Sequence, residues 1–112
     1  MEIRILIVGG SPDQQKQLCL ALAGGGRRVY TAADSVGGLF QFGLVRPHLV
    51  ILDVDEWETL DRLRALSSVP IIALTPDNSS AESLNHGADF FVVKPPSLGE
   101  LGAKVRASLR WV

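Results

Sequence analysis

Arg46-Pro47-His48-Leu49-Val50-Ile51-Leu52-Asp53 is the stretch on which the fold turns. Its apolar centre, His48 to Leu52, does not alternate with polar residues, so it reads as a strand buried on both faces. Pro47 breaks whatever helix precedes it, and Asp53 closes the run with an acid. Three further runs have the same character: Ile3 to Val8, Val69 to Leu74 and Phe90 to Val93. A weaker fifth run covers Arg28 to Thr31.

Between these runs lie segments of helical spacing. Ser11-Pro12-Asp13-Gln14 starts the first: Ser11 caps it, Pro12 takes its first position and Gln14 completes a capping box. Gly24-Gly25-Gly26 stops it. A second helix runs from about Asp34 to Val45, weakened by Gly37, Gly38 and Gly43. A third covers about Glu58 to Leu66, with Leu60, Leu63 and Leu66 on one side. A short fourth follows Asn78-Ser79 and ends at Gly87. A fifth begins at Ser97, which forms a second capping box with Glu100, and turns Leu101, Val105 and Leu109 inward.

Strand and helix therefore alternate five times. That pattern implies an α/β domain with a parallel sheet covered on both faces, joined by right-handed crossovers. In doubly wound sheets, chemistry gathers at the carboxyl ends of the strands. Here those ends carry Gly9 and Gly10, Asp53, Thr75 and Lys94.

The 112 residues suffice for one domain, spanning 1–112. Hydrophobic residues make up 46% and charged residues 21%, a globular balance; aromatics supply only 6%, so the core is expected to be aliphatic. The formal net charge of -1 gives no basic footprint for nucleic acid. The first apolar run is too short for a membrane span and lacks a signal-peptide layout. The single cysteine, Cys19, rules out an intrachain disulfide and suits a reducing compartment. A cytoplasmic location is expected. His48 and His86 sit in no metal-ligand pattern, and Cys19 is expected to pack on its helix and not to react.

Asp53, Thr75 and Lys94 would converge at one rim of the sheet. An acid, a hydroxyl and an ammonium there fit a phosphoryl-aspartate site. They fit equally a simple stabilising ion pair between Asp53 and Lys94. Gly9-Gly10-Ser11, between a strand and a helix start, offers a third reading as an anion- or nucleotide-binding loop, although it lacks the full glycine fingerprints.

Taken in order, several segments resemble the receiver domain of two-component response regulators, the CheY-like family. They are Ile5-Leu6-Ile7-Val8, Ser11-Pro12-Asp13, Thr31-Ala32-Ala33-Asp34, Arg46 to Asp53, Val69 to Thr75, Gly87-Ala88-Asp89, Lys94-Pro95 and Glu100-Leu101. The resemblance covers essentially the whole chain. It implies a flavodoxin-like (βα)5 fold with strand order 2-1-3-4-5. It also implies roles: Asp53 as the phosphoacceptor equivalent, Thr75 and Lys94 as phosphoryl contacts, and Phe91 as the aromatic that moves on activation. The plain reading of Phe91 is a core residue.

The chain departs from that family in one region. Gly9-Gly10 stands where the family has an acidic pair that holds Mg²⁺ together with the phosphorylated aspartate. Magnesium requires hard oxygen ligands, so weak or absent Mg²⁺ binding is expected, with Asp13, Asp55 and Glu56 the residues that could compensate. Val54 to Trp57 forms a shortened loop, Trp57 being expected to pack on the helix below it. Pro76 follows Thr75 where a small residue is usual, and Phe90 replaces an acid used in dimer salt bridges. The expectation is an atypical receiver, not an enzyme, with no catalytic residue and no metal ligand assigned. It would act as a protein-interaction or homodimerisation module through Ser79 to Arg110, where Ala81, Leu84, Arg106 and Arg110 lie. The alternative is a receiver that accepts a phosphoryl group on Asp53 from a histidine kinase.

Overall fold

The computed structural model describes residues 2–53, 57–76 and 80–110. Five strands form one parallel sheet: β1 (Ile3–Val8), β2 (Arg27–Ala32), β3 (Leu49–Asp53), β4 (Ile71–Thr75) and β5 (Phe90–Val93). Their order is β2-β1-β3-β4-β5, as the resemblance implies. The helices are α1 (Pro12–Leu22), α2 (Ser35–Val45), α3 (Trp57–Leu66), α4 (Ser80–Asn85) and α5 (Leu98–Ser108).

The unbroken apolar runs explain the layering. Successive side chains on a strand point to opposite faces, so each central strand feeds two cores. On one face Ile5, Ile7, Leu49, Ile51, Ile72, Leu74 and Val92 pack against Leu18 and Leu22 of α1 and Leu101 and Val105 of α5. On the other, Leu6, Val8, Val50, Leu52, Ile71 and Ala73 pack against Leu60 and Leu63 of α3, with Leu39 and Phe42 of α2 alongside. Among the described residues, aromatics contribute at the margins of both cores.

Several boundaries differ from the sequence expectation. β3 begins at Leu49; His48 stands just outside it, its Nδ1 accepting from the Arg4 backbone N–H at 2.9 Å. β4 runs Ile71–Thr75 because Pro70 has no N–H for a ladder and the Val69 carbonyl accepts from Arg64. β2 is longer at both ends than Arg28 to Thr31. Leu66 does not join Leu60 and Leu63: it lies at the last residue of α3 and is exposed. Asn78-Ser79, the expected start of α4, lies outside the described residues.

Helix ends follow their capping residues. Ser11 accepts from the Gln14 backbone N–H, Asp34 from that of Gly37, and Ser97 from that of Glu100. Arg46, in the left-handed region at φ 51°, ends α2 ahead of Pro47. Arg4 then reaches across to cap the carbonyls of Val45 and Arg46. α2 lies against β1 through Gly38, where an added Cβ would stand 2.6 Å from a Val8 methyl.

Candidate functional site

β1 and β3 are neighbours, paired Val8 to Leu52, so the residues just past each strand meet at one rim. β3 ends in Asp53. β4 pairs Thr75 with Val93 of β5, which brings Lys94 to the same rim. The Lys94 backbone N–H donates to the Thr75 carbonyl at 2.8 Å. The Lys94–Pro95 peptide bond is cis.

The side chains converge as well. The Lys94 Nζ donates to Asp53 Oδ1 at 2.7 Å, and the Asp53 side chain is only 5% exposed. The Gln14 Nε2 donates to Asp53 Oδ2 at 2.8 Å. A near-buried carboxylate needs partners for its charge and lone pairs, and each Asp53 oxygen has one. Sequence reading missed Gln14. The sequence pattern gives it the reciprocal half of a capping box, yet its amide nitrogen is directed at Asp53, and the bond found in the box is the one the Ser11 hydroxyl accepts. Its one sequence signal is position: one turn into a helix that starts at the rim of the sheet.

Gly9 and Gly10 both have φ near +84°, a region costly for residues with a Cβ. A Cβ at Gly9 would lie 3.2 Å from the Asp53 carbonyl oxygen. A Cβ at Gly10 would run into the Gln14 amide nitrogen and approach Asp53 Oδ2 at 3.2 Å. The Gln14 amide thus fills the space that a side chain at position 10 would need. Several of the loop's polar groups have partners within the chain. The Gly9 N–H donates to the Ala32 carbonyl, the Gly9 carbonyl accepts from Gln15 Nε2, and the Ser11 hydroxyl accepts from Gln14 N–H.

Asp53 opens onto a cleft of about 550 Å³ whose walls include Gly10, Gln14, Asp34, Ser35, Thr59 and Lys94. Among the described residues its acids besides Asp53 come to Asp34, whose side chain caps α2 at 2.8 Å. Asp13 is exposed in the first turn of α1. Among the described residues no group of three His, Cys, Asp or Glu side chains comes together; Asp55 and Glu56 lie outside those residues. The donor set described at the rim does not fit magnesium. It offers one carboxylate, with an ammonium on one oxygen and an amide on the other, where the ion needs several free oxygens.

Thr75 is fully buried at the end of β4. Phe91 and Phe90 are both half-buried and line one groove with Leu84, Asp89, Glu100 and Lys104; of the two it is Phe90 that packs against the core, not the Phe91 of the plain reading. Lys104 Nζ lies 5.7 Å from the centre of the Phe90 ring, a cation–π distance. Trp57 packs against the core under α3 and stacks on His86, ring centres 4.9 Å apart. His86 Nδ1 lies 2.7 Å from Asp61 Oδ1. Cys19 packs beside Leu18 and Leu22, and burial pushes its thiol above the ordinary value.

No protein-family model matches the chain. It is 35% identical over 114 residues to the KDP operon transcriptional regulatory protein KdpE of Escherichia coli (strain K12), covering 95% of this chain and 51% of that protein. It is 36% identical over 118 residues to the DNA-binding response regulator MtrA of Mycolicibacterium smegmatis, covering 98% and 52%. The chain thus spans about half the length of these curated relatives. Among solved structures, a two-component response regulator from Clostridium difficile superposes with a TM-score of 0.89 at 28% identity, covering 98% of each chain. The chemotaxis response regulator CheY4 of Vibrio cholerae superposes at 0.84 with 25% identity, covering 97% of this chain and 100% of that one.

Proposed function

The chain belongs to the receiver-domain family of two-component response regulators, and from that premise we propose that it is an atypical receiver, latched by its own side chains without magnesium, that signals by protein contact. The observation that carries this reading is the pair of bonds on Asp53: Lys94 at 2.7 Å and Gln14 at 2.8 Å. A receiver that used magnesium would need oxygen donors where Gly9 and Gly10 stand. Restoring acids there would cost backbone strain at φ near +84° and would displace Gln14. Gln14 supplies a neutral donor and Lys94 an ammonium, so both carboxylate oxygens have a partner without a divalent ion.

On this reading the domain is a binding module and not an enzyme. Its partner would be a protein seated on the face made by α4, β5 and α5, within Ser79 to Arg110. Ser79 lies outside the described residues. Ala81, Leu84, Leu98 and Arg106 are exposed on these elements, Arg110 is exposed just past the end of α5, and Phe91 is half-buried on β5. No helix among the described residues is long and apolar enough to cross a membrane. With a lone cysteine and receiver relatives, a cytoplasmic location follows as part of the same proposal.

The test is incubation of the chain with acetyl phosphate and Mg²⁺, read by intact mass and peptide mapping. No phosphoryl adduct on Asp53 is expected, and calorimetric titration with Mg²⁺ should show no site filled at sub-millimolar concentration. A stable adduct on Asp53 would instead support a phosphorylatable receiver served by a histidine kinase, for which Lys94 already sits within hydrogen-bond distance of the acceptor.

A further inference from the structure

Gln14 Nε2 lies 2.8 Å from Asp53 Oδ2. An octahedral magnesium ion, with bonds of about 2.0–2.1 Å, holds adjacent ligand atoms about 2.9 Å apart. The Gln14–Asp53 contact therefore has the length of one edge of a magnesium octahedron, but one of its two atoms is of the wrong kind. An amide nitrogen has two N–H groups to donate and no lone pair for a cation. An ionised carboxylate only accepts, so the nitrogen of the amide, and not its oxygen, must face Asp53.

We propose that Gln14 is the residue that keeps divalent cations off the Asp53 rim, and that an oxygen in place of its amide nitrogen turns the rim into a magnesium site. The inference rests on the metal-free reading above and adds to it the side chain responsible. The glycines account for missing ligands. Gln14 accounts for the resistance of the rim to regaining one. A Cβ at Gly10 would collide with Gln14 Nε2, so any side chain at position 10 must first push the amide off Asp53. The amide is well held. Its own backbone N–H is bound by the Ser11 hydroxyl at 3.1 Å, and its far end by Asp53. Gln15, the next residue, donates to the carbonyls of Gly9 and Ala32. The first turn of α1 thus braces the ends of β1, β2 and β3 together.

Room and charge agree with a site that lacks only this one atom. The cleft beside Asp53 holds about 550 Å³, space for the waters that magnesium keeps on its other positions. The Asp53–Lys94 pair carries no net charge, and Asp34 lines the same cleft. Gln14→Glu keeps the length and shape of the side chain. It adds its charge in the first turn of α1, where the helix favours an anion. It also sets two carboxylate oxygens at the 2.8 Å spacing that the amide now holds. Like charges so close repel, and a cation bound to both relieves the repulsion.

The test is calorimetric titration of the 112-residue chain with Mg²⁺, with Mn²⁺ followed by water-proton relaxation. Gln14→Glu should bind at least about tenfold more tightly than the unaltered chain, with a dissociation constant below about 1 mM. Its melting temperature should rise with added Mg²⁺, and that of the unaltered chain should not. Gln14→Met removes the amide without supplying an oxygen and should gain no binding, which separates a ligand role from a merely structural one. Circular dichroism should be alike for all three. Gly10→Asp should bind about tenfold more weakly than Gly10→Asp combined with Gln14→Ala, because the single variant must first break the bond from Gln14 to Asp53. A folded Gln14→Glu chain that binds no more Mg²⁺ than the unaltered one overturns the proposal and leaves the metal-free reading standing. Gly10→Asp binding as tightly as the double variant overturns it too. Uptake of Mg²⁺ by the unaltered chain at sub-millimolar concentration brings down the metal-free reading, and this inference with it.

Discussion

At the residue scale, the Asp53 latch makes the sharpest demands. Lys94→Met leaves a carboxylate that is 5% exposed without its cation. Because Lys94 itself is 28% exposed, water can partly replace it, and a loss of about 2 kcal/mol is expected in urea unfolding. Adding Asp53→Asn should recover most of that loss, since the uncompensated charge goes with it. Gly10→Ala should cost about 1–2 kcal/mol through its positive φ and its clash with Gln14. Cys19 makes a pH prediction. Burial disfavours its thiolate and raises its folded-state value above that of the unfolded chain. The resulting stability is complete below the ordinary thiol value and falls away as the pH rises through the folded one. Alkylation of the native protein at pH 8 should accordingly be slower than that of the urea-unfolded chain. Asp53 and Lys94 were legible from sequence because both close apolar strands. Gln14 was not, because a capping residue and a rim ligand have the same sequence signature there.

Elements show the same division. The strands were legible because both of their faces are buried, which removes every polar interruption. Strand limits were less so: Arg64 and Asp89 fix them from a distance. Arg64 donates to the carbonyls of Gly87 and Val69 and pairs with Asp89, whose Oδ2 also accepts from the Ile71 N–H. No local pattern announces such a brace. Arg64→Ala should cost about 2 kcal/mol by thermal unfolding, chiefly through the carbonyls it leaves unbound. The glycines of α2 separate in the same way. Gly38→Ala must push Val8 aside and should destabilise by about 1–3 kcal/mol. Gly43→Ala meets open space and should stabilise the chain by about 0.5–1 kcal/mol.

At the scale of the whole molecule, alternation of strand and helix was enough to set the layers, and the resemblance supplied the order of strands. What the order adds concerns assembly in time. β1 is the first strand of the chain, yet it lies in the interior of the sheet, between β2 and β3. Its second neighbour arrives only with Leu49–Asp53. A nascent chain ending at α2 would hold a hydrophobic ribbon with one edge still open to any passing strand. Such a fragment should aggregate or recruit a chaperone, and should turn native when a peptide carrying the remaining half is supplied in trans. The first commitment of this fold therefore waits until β3 has been made.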